Sequence, residues 1–250
     1  MGGVVSPRPT IAIPARFSAS ASALRYQAEV AARALVEGVF RAGGEPLLVH
    51  PYAPDGEVDD ESVAARLDRF DGVLLPGGGD LAPEWYAGSE HESLYDIDRE
   101  QDAFDLAVAA WAWEAGRPLL AVCRGLQVVN VARGGTILTD MPTHHRHVVS
   151  ELVLDDATMA RSAIGQSHVR ISCYHHQAVD QVGSGLRATA RTSDGVIEAM
   201  ERDTPGAWFL ALQWHPEDTA ATDPAQQAVF DSLVAAAGGD RHGHSIPNET

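Results

Sequence analysis

Four short apolar runs, each followed by a polar or glycine-rich break and then by helix-compatible sequence, organise the first half of this chain. They are "TIAIPA" (10–15), "PLLVH" (46–50), "GVLLP" (72–76) and "PLLAV" (118–122). Runs this short and apolar read as strands buried on both faces. Their alternation with helical stretches predicts an α/β fold with a mostly parallel central sheet flanked by helices. The helices expected between them cover 19–42, closed by Gly43-Gly44, then a short segment within 55–69. A longer one follows, on which Ile97, Phe104, Val108 and Trp111 share a face. Asp98, Glu100 and Asp102 crowd its start, where the backbone dipole favours negative charge. Trp111 and Trp113 cannot share one helical face, so one of them is expected part-exposed, as at a subunit contact.

The second half is less regular. Strands, some of them antiparallel, are expected at 148–154, 169–173, 186–192, 196–201 and 208–213, before a last helix at about 224–237. A chain of 250 residues fits one sizeable domain, assigned to 1–240, with a polar tail at 241–250.

Charge narrows the function classes. With 35 acidic against 18 basic residues the formal charge is −17, a surface that repels phosphate backbones and excludes a nucleic-acid partner. A small anionic substrate held by a local cation stays compatible with it. The N-terminus lacks the basic start and apolar stretch of a signal peptide, and no window approaches the roughly 18 apolar residues of a membrane span. Two cysteines, Cys123 and Cys173, make no disulfide framework, so a cytoplasmic protein with reduced thiols and no membrane association is expected.

Cys123 carries the chemistry. It falls where "PLLAV" stops and the helical run "RGLQVVNVARG" begins, the strand–turn–helix setting of a nucleophile elbow with cysteine in place of serine. Ligands of open α/β sheets bind at the carboxyl ends of strands, and a helix N-terminus favours a thiolate. Gly125 permits close approach of the turn to a neighbouring strand. Arg124 in the first helical turn opposes the dipole at a cost of about 0.3–1 kcal/mol, yet a cation beside a thiol lowers its pKa. An exposed arginine tolerated at that cost is the plain alternative. Gln127, one turn on, lies over the same face.

A base is needed, and 11 histidines offer too many. His215 is singled out because it ends a strong β run in "LALQWHPED" (210–218). Pro216 holds it extended, and Glu217 stands two residues on to orient the ring, the logic of a triad. The loop "LLPGGGDLAP" (74–83) offers backbone N–H groups for an oxyanion. A phosphate cradle is the rival there, and Asp80 with no following Lys-Ser/Thr argues against it.

Together, "AVCRGLQVVNVARGG", "LPGGGDLAP" and "QWHPE" resemble the class I glutamine amidotransferase-like superfamily, and within it the γ-glutamyl-γ-aminobutyrate hydrolase group, peptidase family C26. The likeness runs from Ile11 to about Ala237. Arginine after the cysteine, followed by "GLQVVNVARGGT", favours the hydrolase branch over the ammonia-donating one. "SCYHHQAV" (172–179) is similar to that branch's His-His-Gln segment near the substrate pocket.

The resemblance implies a flavodoxin-like sheet and no cofactor. It further implies Cys123 as nucleophile, His215 as general base, Glu217 as its orienter, and the backbone N–H groups of Gly78 and Arg124 as oxyanion hole. Gln127, Gly79, Tyr174, His175 and His176 would meet a small γ-glutamyl substrate. Cleavage of a γ-glutamyl amide through a thioester is the expected activity. A glutaminase subunit supplying ammonia to a synthetase is the first alternative, and a non-catalytic binding module of the same fold the second. A homodimer is compatible with the sequence. Two positions depart from the branch: Cys173 stands where serine is usual, and Gln101-Asp102 where many relatives have Arg-Asp.

The remaining polar residues have bland readings. Cys173 reads as core or pocket lining. His144, His145 and His147 lack a cysteine or carboxylate at ligand spacing, and Arg146 among them discourages a cation. They read as a solvated loop, so no metal site is expected.

Overall fold

The central sheet is built around β1 (Thr10–Pro14), whose apolar residues alternate between two helical layers. The computed structural model describes residues 7–22, 24–143 and 145–239. After β1 the chain forms a small arm, β2 (Arg16–Ser18) and β3 (Ala28–Val30), then α1 (Arg33–Arg41), β4 (Glu45–Val49), α2 (Asp60–Leu67) and β5 (Gly72–Leu75). Next come α3 (Arg99–Glu114), β6 (Leu119–Val122), α4 (Arg124–Ala132) and the two-residue β7 (Ile137–Leu138). The second half holds β8 (His145–Val153), α5 (Met159–Ile164), β9 (His168–His175), β10 (Ala178–Val179), β11 (Leu186–Arg191), β12 (Ile197–Arg202), β13 (Phe209–Leu212) and α6 (Pro224–Gly239).

Seven strands make the main sheet in the order β11-β12-β13-β6-β5-β1-β4. The pairs from β13 through β4 are parallel, and β11 and β12 add antiparallel at one edge. The expectation of a mostly parallel sheet with antiparallel strands from the second half holds. Ala12, Val73, Leu75, Leu119 and Ala121 face the layer of α2, α3 and α4, while Ile11, Ile13, Leu74, Leu120 and Val122 face that of α1 and α6. This two-residue alternation is why every inner strand is apolar throughout. Each fully buried Leu or Phe there contributes roughly 1.5–3 kcal/mol.

One helix is much shorter than its sequence reading. The segment expected as helix 19–42 is helical only over Arg33–Arg41, where Leu35 and Val39 face the core. Before it lies the β2–β3 arm. The serine-rich "SASASA" supplies no apolar stripe, and its hydroxyls compete for backbone groups; Ser18 Oγ donates to the Ser20 carbonyl at 2.7 Å. The tryptophan reading also changes. Both Trp111 and Trp113 are half-buried, and Trp113 lies under the guanidinium of Arg202, 3.6 Å from the ring centre. No helix among the described residues is long and apolar enough to cross a membrane.

β1 is the switch point: the chain passes from β1 to β4 on one side and then to β5 on the other. The loops after β5, β6 and β13 therefore open on one carboxyl edge, where α/β sheets bind ligands.

Candidate active site

Cys123 follows β6, and Gln213 follows β13. Since Val122 pairs with Leu212 in the parallel ladder, the two residues leave the sheet side by side. The Cys123 N–H is held by the Leu212 carbonyl at 2.7 Å. Its backbone lies at φ 51°, ψ −108°, a conformation that L-residues other than glycine rarely adopt and that surrounding structure must enforce. This sharp turn sets the sulfur at the N-terminus of α4, the elbow geometry the sequence predicts. Gly125 is needed for it, because an added Cβ would run into the Leu75 carbonyl of β5.

His215 is extended, at φ −105° and ψ 89°, and Pro216 opens a short 3₁₀ turn behind it. Its Nδ1 bonds the Glu217 carboxylate at 2.8 Å. Its buried Nε2 makes no well-formed hydrogen bond and faces Cys123. A Cβ at Gly77 would lie 3.0 Å from His215 Cε1 and 3.6 Å from Cys123 Cβ, which measures how closely the glycine loop, thiol and imidazole converge. Burial opposes charge on His215, but Cys123 and then Glu217 outweigh it and push the imidazole up to about 11.

Arg124 is not an exposed cation. Its guanidinium is buried and gripped by two carboxylates of α3, Asp102 at 2.7 Å and Asp105. Burial disfavours its charge, but Asp105 and then Asp102 outweigh that and raise its pKa. Asp102 also accepts from the Ala82 N–H at 2.9 Å, and Gln101 donates to Asp105 at 3.0 Å. Within α3 the acidic residues have therefore divided roles. Asp98 caps the helix by accepting from the N–H groups of Glu100 and Gln101, whereas Asp102 ties the first turn of α4 to the end of the glycine-rich loop.

Gly78, Gly79, Arg124, Gln127, Tyr174, His175 and His176 all border one narrow, nearly filled cleft over Cys123. Within it their roles differ. Gln127 donates to Gln213 Oε1 at 3.2 Å, and Gln213 in turn reaches the Cys123 sulfur at 3.7 Å. Sequence reasoning misses Gln213; its place one residue past a strand that neighbours β6 is the signal that marks it. His176 is clamped between Asp80 at 3.0 Å and Asp140 at 2.8 Å, and Asp80 foremost raises its pKa. Tyr174 is 43% exposed and packs against His147 at the mouth. His175 forms cleft wall, with Nδ1 donating to the Gln177 carbonyl at 2.9 Å.

The histidine-rich segment departs from its reading as a solvated loop. His145 is buried at the start of β8, and His147 forms a bulge at φ 55°. His144 and the tail 241–250, with His242 and His244, lie outside the described residues.

Residues 9–217 match the family model described as Peptidase C26. A Mycobacterium tuberculosis protein, assigned by name only as a glutamine amidotransferase, is 41% identical over 214 residues, covering 81% of this chain and 66% of its own length. The chain thus spans just under two thirds of that relative. A glutamine amidotransferase-like protein of Lactococcus lactis is 33% identical, covering 77% of this chain and 83% of its own. The gamma-glutamyl-gamma-aminobutyrate hydrolase of Escherichia coli K12 is 26% identical, covering 80% and 84%. In three dimensions the chain resembles a crystal structure from Thermoplasma acidophilum, named as one of the subunits of a GMP synthase. The TM-score is 0.66 at 13% identity over 95% of this chain and 98% of that one, a likeness of fold.

Proposed function

We propose, since the chain belongs to the peptidase C26 family, that it is a hydrolase of γ-glutamyl amides with Cys123 as nucleophile, His215 as proton carrier and Glu217 as its orienting carboxylate. The observation that carries the reading is the strained Cys123 turn facing an imidazole whose far nitrogen is tied to Glu217 at 2.8 Å.

Cys123 Sγ attacks the γ-carbonyl carbon, and negative charge develops on its oxygen. The N–H groups of Gly78 and Arg124 border the same cleft and receive that charge; one such donor is typically worth about 10²–10³ in rate. The salt bridges of Arg124 fix the first turn of α4, so its side chain positions the backbone donor and leaves the substrate to others. His215 gives its proton to the departing amine as the C–N bond breaks, leaving a γ-glutamyl thioester. Acylation removes the interaction with Cys123 that most raises the His215 pKa. The ring pKa then falls, and the ring accepts a proton from water as water attacks the thioester. Glutamate leaves and the thiol is restored.

A glutaminase serving a synthetase is the second reading, favoured by the name of the 41% identical relative. Released glutamate, measured over a panel of γ-glutamyl amides and free glutamine, separates the two. The hydrolase reading expects turnover of γ-glutamyl amides by the protein alone, abolished in C123A. Preference for glutamine that appears only with a partner protein supports the alternative, and turnover retained by C123A contradicts both.

A further inference from the structure

Behind the cleft wall, four side chains from three strands converge. His145 opens β8, and Cys173 and His175, two apart on β9, point to the same face; His145 and His175 are cross-strand partners. Below them is Glu198 of β12, fully buried. His145 Nδ1 lies 3.5 Å and His175 Nε2 3.4 Å from Glu198 Oε1, and Cys173 Sγ lies 3.9 Å from both carboxylate oxygens. All four ligand atoms fall within 4.8 Å of one another.

Hydrogen bonding leaves these atoms short of donors. His175 Nδ1 faces a carbonyl, which only accepts, so Nδ1 carries the proton and Nε2 presents a lone pair inward. His145 Nε2 bonds Asp194 at 2.9 Å, which turns Nδ1 inward likewise. Both inward nitrogens are buried without a hydrogen-bond partner. The site is therefore two imidazole nitrogens and a sulfur gathered around a buried carboxylate.

We infer that His145, Cys173, His175 and Glu198 form a tetrahedral site for a divalent cation of the zinc class. Ligand distances of about 2.0–2.3 Å imply edges of about 3.3–3.7 Å between ligand atoms. The edges that meet at Glu198 measure 3.4, 3.5 and 3.9 Å, and the others, all within 4.8 Å, close by small side-chain shifts on binding. One thiolate and one carboxylate neutralise the dication, and binding releases the Cys173 proton. Asp194 and the Gln177 carbonyl supply the outer hydrogen bonds that fix each imidazole. Four protein ligands leave no open position, so the ion is structural: it pins the β8–β9 arm, which carries Tyr174 and His175, to β12 of the main sheet. The inference is independent of the reaction assigned to Cys123.

The rival arrangement is a proton on His145, which Glu198, against the opposing effect of burial and with help from Asp194, holds to about 9. That proton satisfies one imidazole of the two.

The full chain, freed of metal by chelator dialysis, is titrated with Co²⁺ and then with Zn²⁺ against a competing chelator. One equivalent should bind, with a cobalt–thiolate charge-transfer band that zinc displaces. The band should vanish in C173S and persist in C123S. E198Q should also lose stoichiometric binding, and D194N should weaken it about 10–100-fold, with folding of each variant checked by circular dichroism. No stoichiometric binding, binding unaffected by C173S, or a band lost in C123S overturns the inference.

Discussion

The molecule keeps its two thiols in opposite conditions, about one cleft wall apart. Cys123 sits on a strained turn at a helix N-terminus, facing an imidazole whose ring bears a proton. Cys173 is wholly buried in a regular strand, and desolvation together with the Glu198 charge pushes its pKa up. The first setting suits attack on a carbonyl. The second suppresses a free thiolate and suits a metal ligand, because only a cation there compensates the lost proton. Backbone and charge environment, more than accessibility, separate the two, since both residues are buried.

The contrast can be broken first at His215. H215A should lower kcat by about 10²–10⁴-fold on a γ-glutamyl amide, while C173S should move KM more than kcat; equal losses in both variants would erase the distinction. E217Q tests the pairing more finely. Removing that carboxylate withdraws a contribution that raises the His215 pKa, so its proton is lost at lower pH. The alkaline limb of kcat/KM should then move down by about one unit or more, and an unmoved limb would detach Glu217 from the base.

On the stability side, D105N leaves the buried Arg124 guanidinium with one carboxylate. Urea unfolding should record a loss of about 3–5 kcal/mol, against about 1 kcal/mol for the cap variant D98A. Comparable losses would mean that the Arg124 bracket is no more than a surface-grade pair.

What the sequence disclosed follows from locality. The β6–Cys123–α4 elbow, the Gly77–Gly79 loop and His215-Pro216-Glu217 are each contiguous, so their local geometry and their order along parallel strands could be read directly. The partners of Arg124 lie 19 and 22 positions away on α3, and the stretch that serves as their helix start reads first as dipole compensation. His145, Cys173 and Glu198 are scattered over three strands, and only the β8–β9 pairing above β12 turns them into one cluster. The over-long helix at 19–42 failed for a local reason: serine hydroxyls and the lack of an apolar stripe favoured an extended arm.

Mass spectrometry of the protein quenched in acid during turnover of a γ-glutamyl amide tests the thioester route most directly. The expected result is a mass increase of one γ-glutamyl group, mapped by digestion to the peptide containing Cys123 and absent from C123A. An adduct mapped to Cys173, or full turnover in C123A, would contradict it.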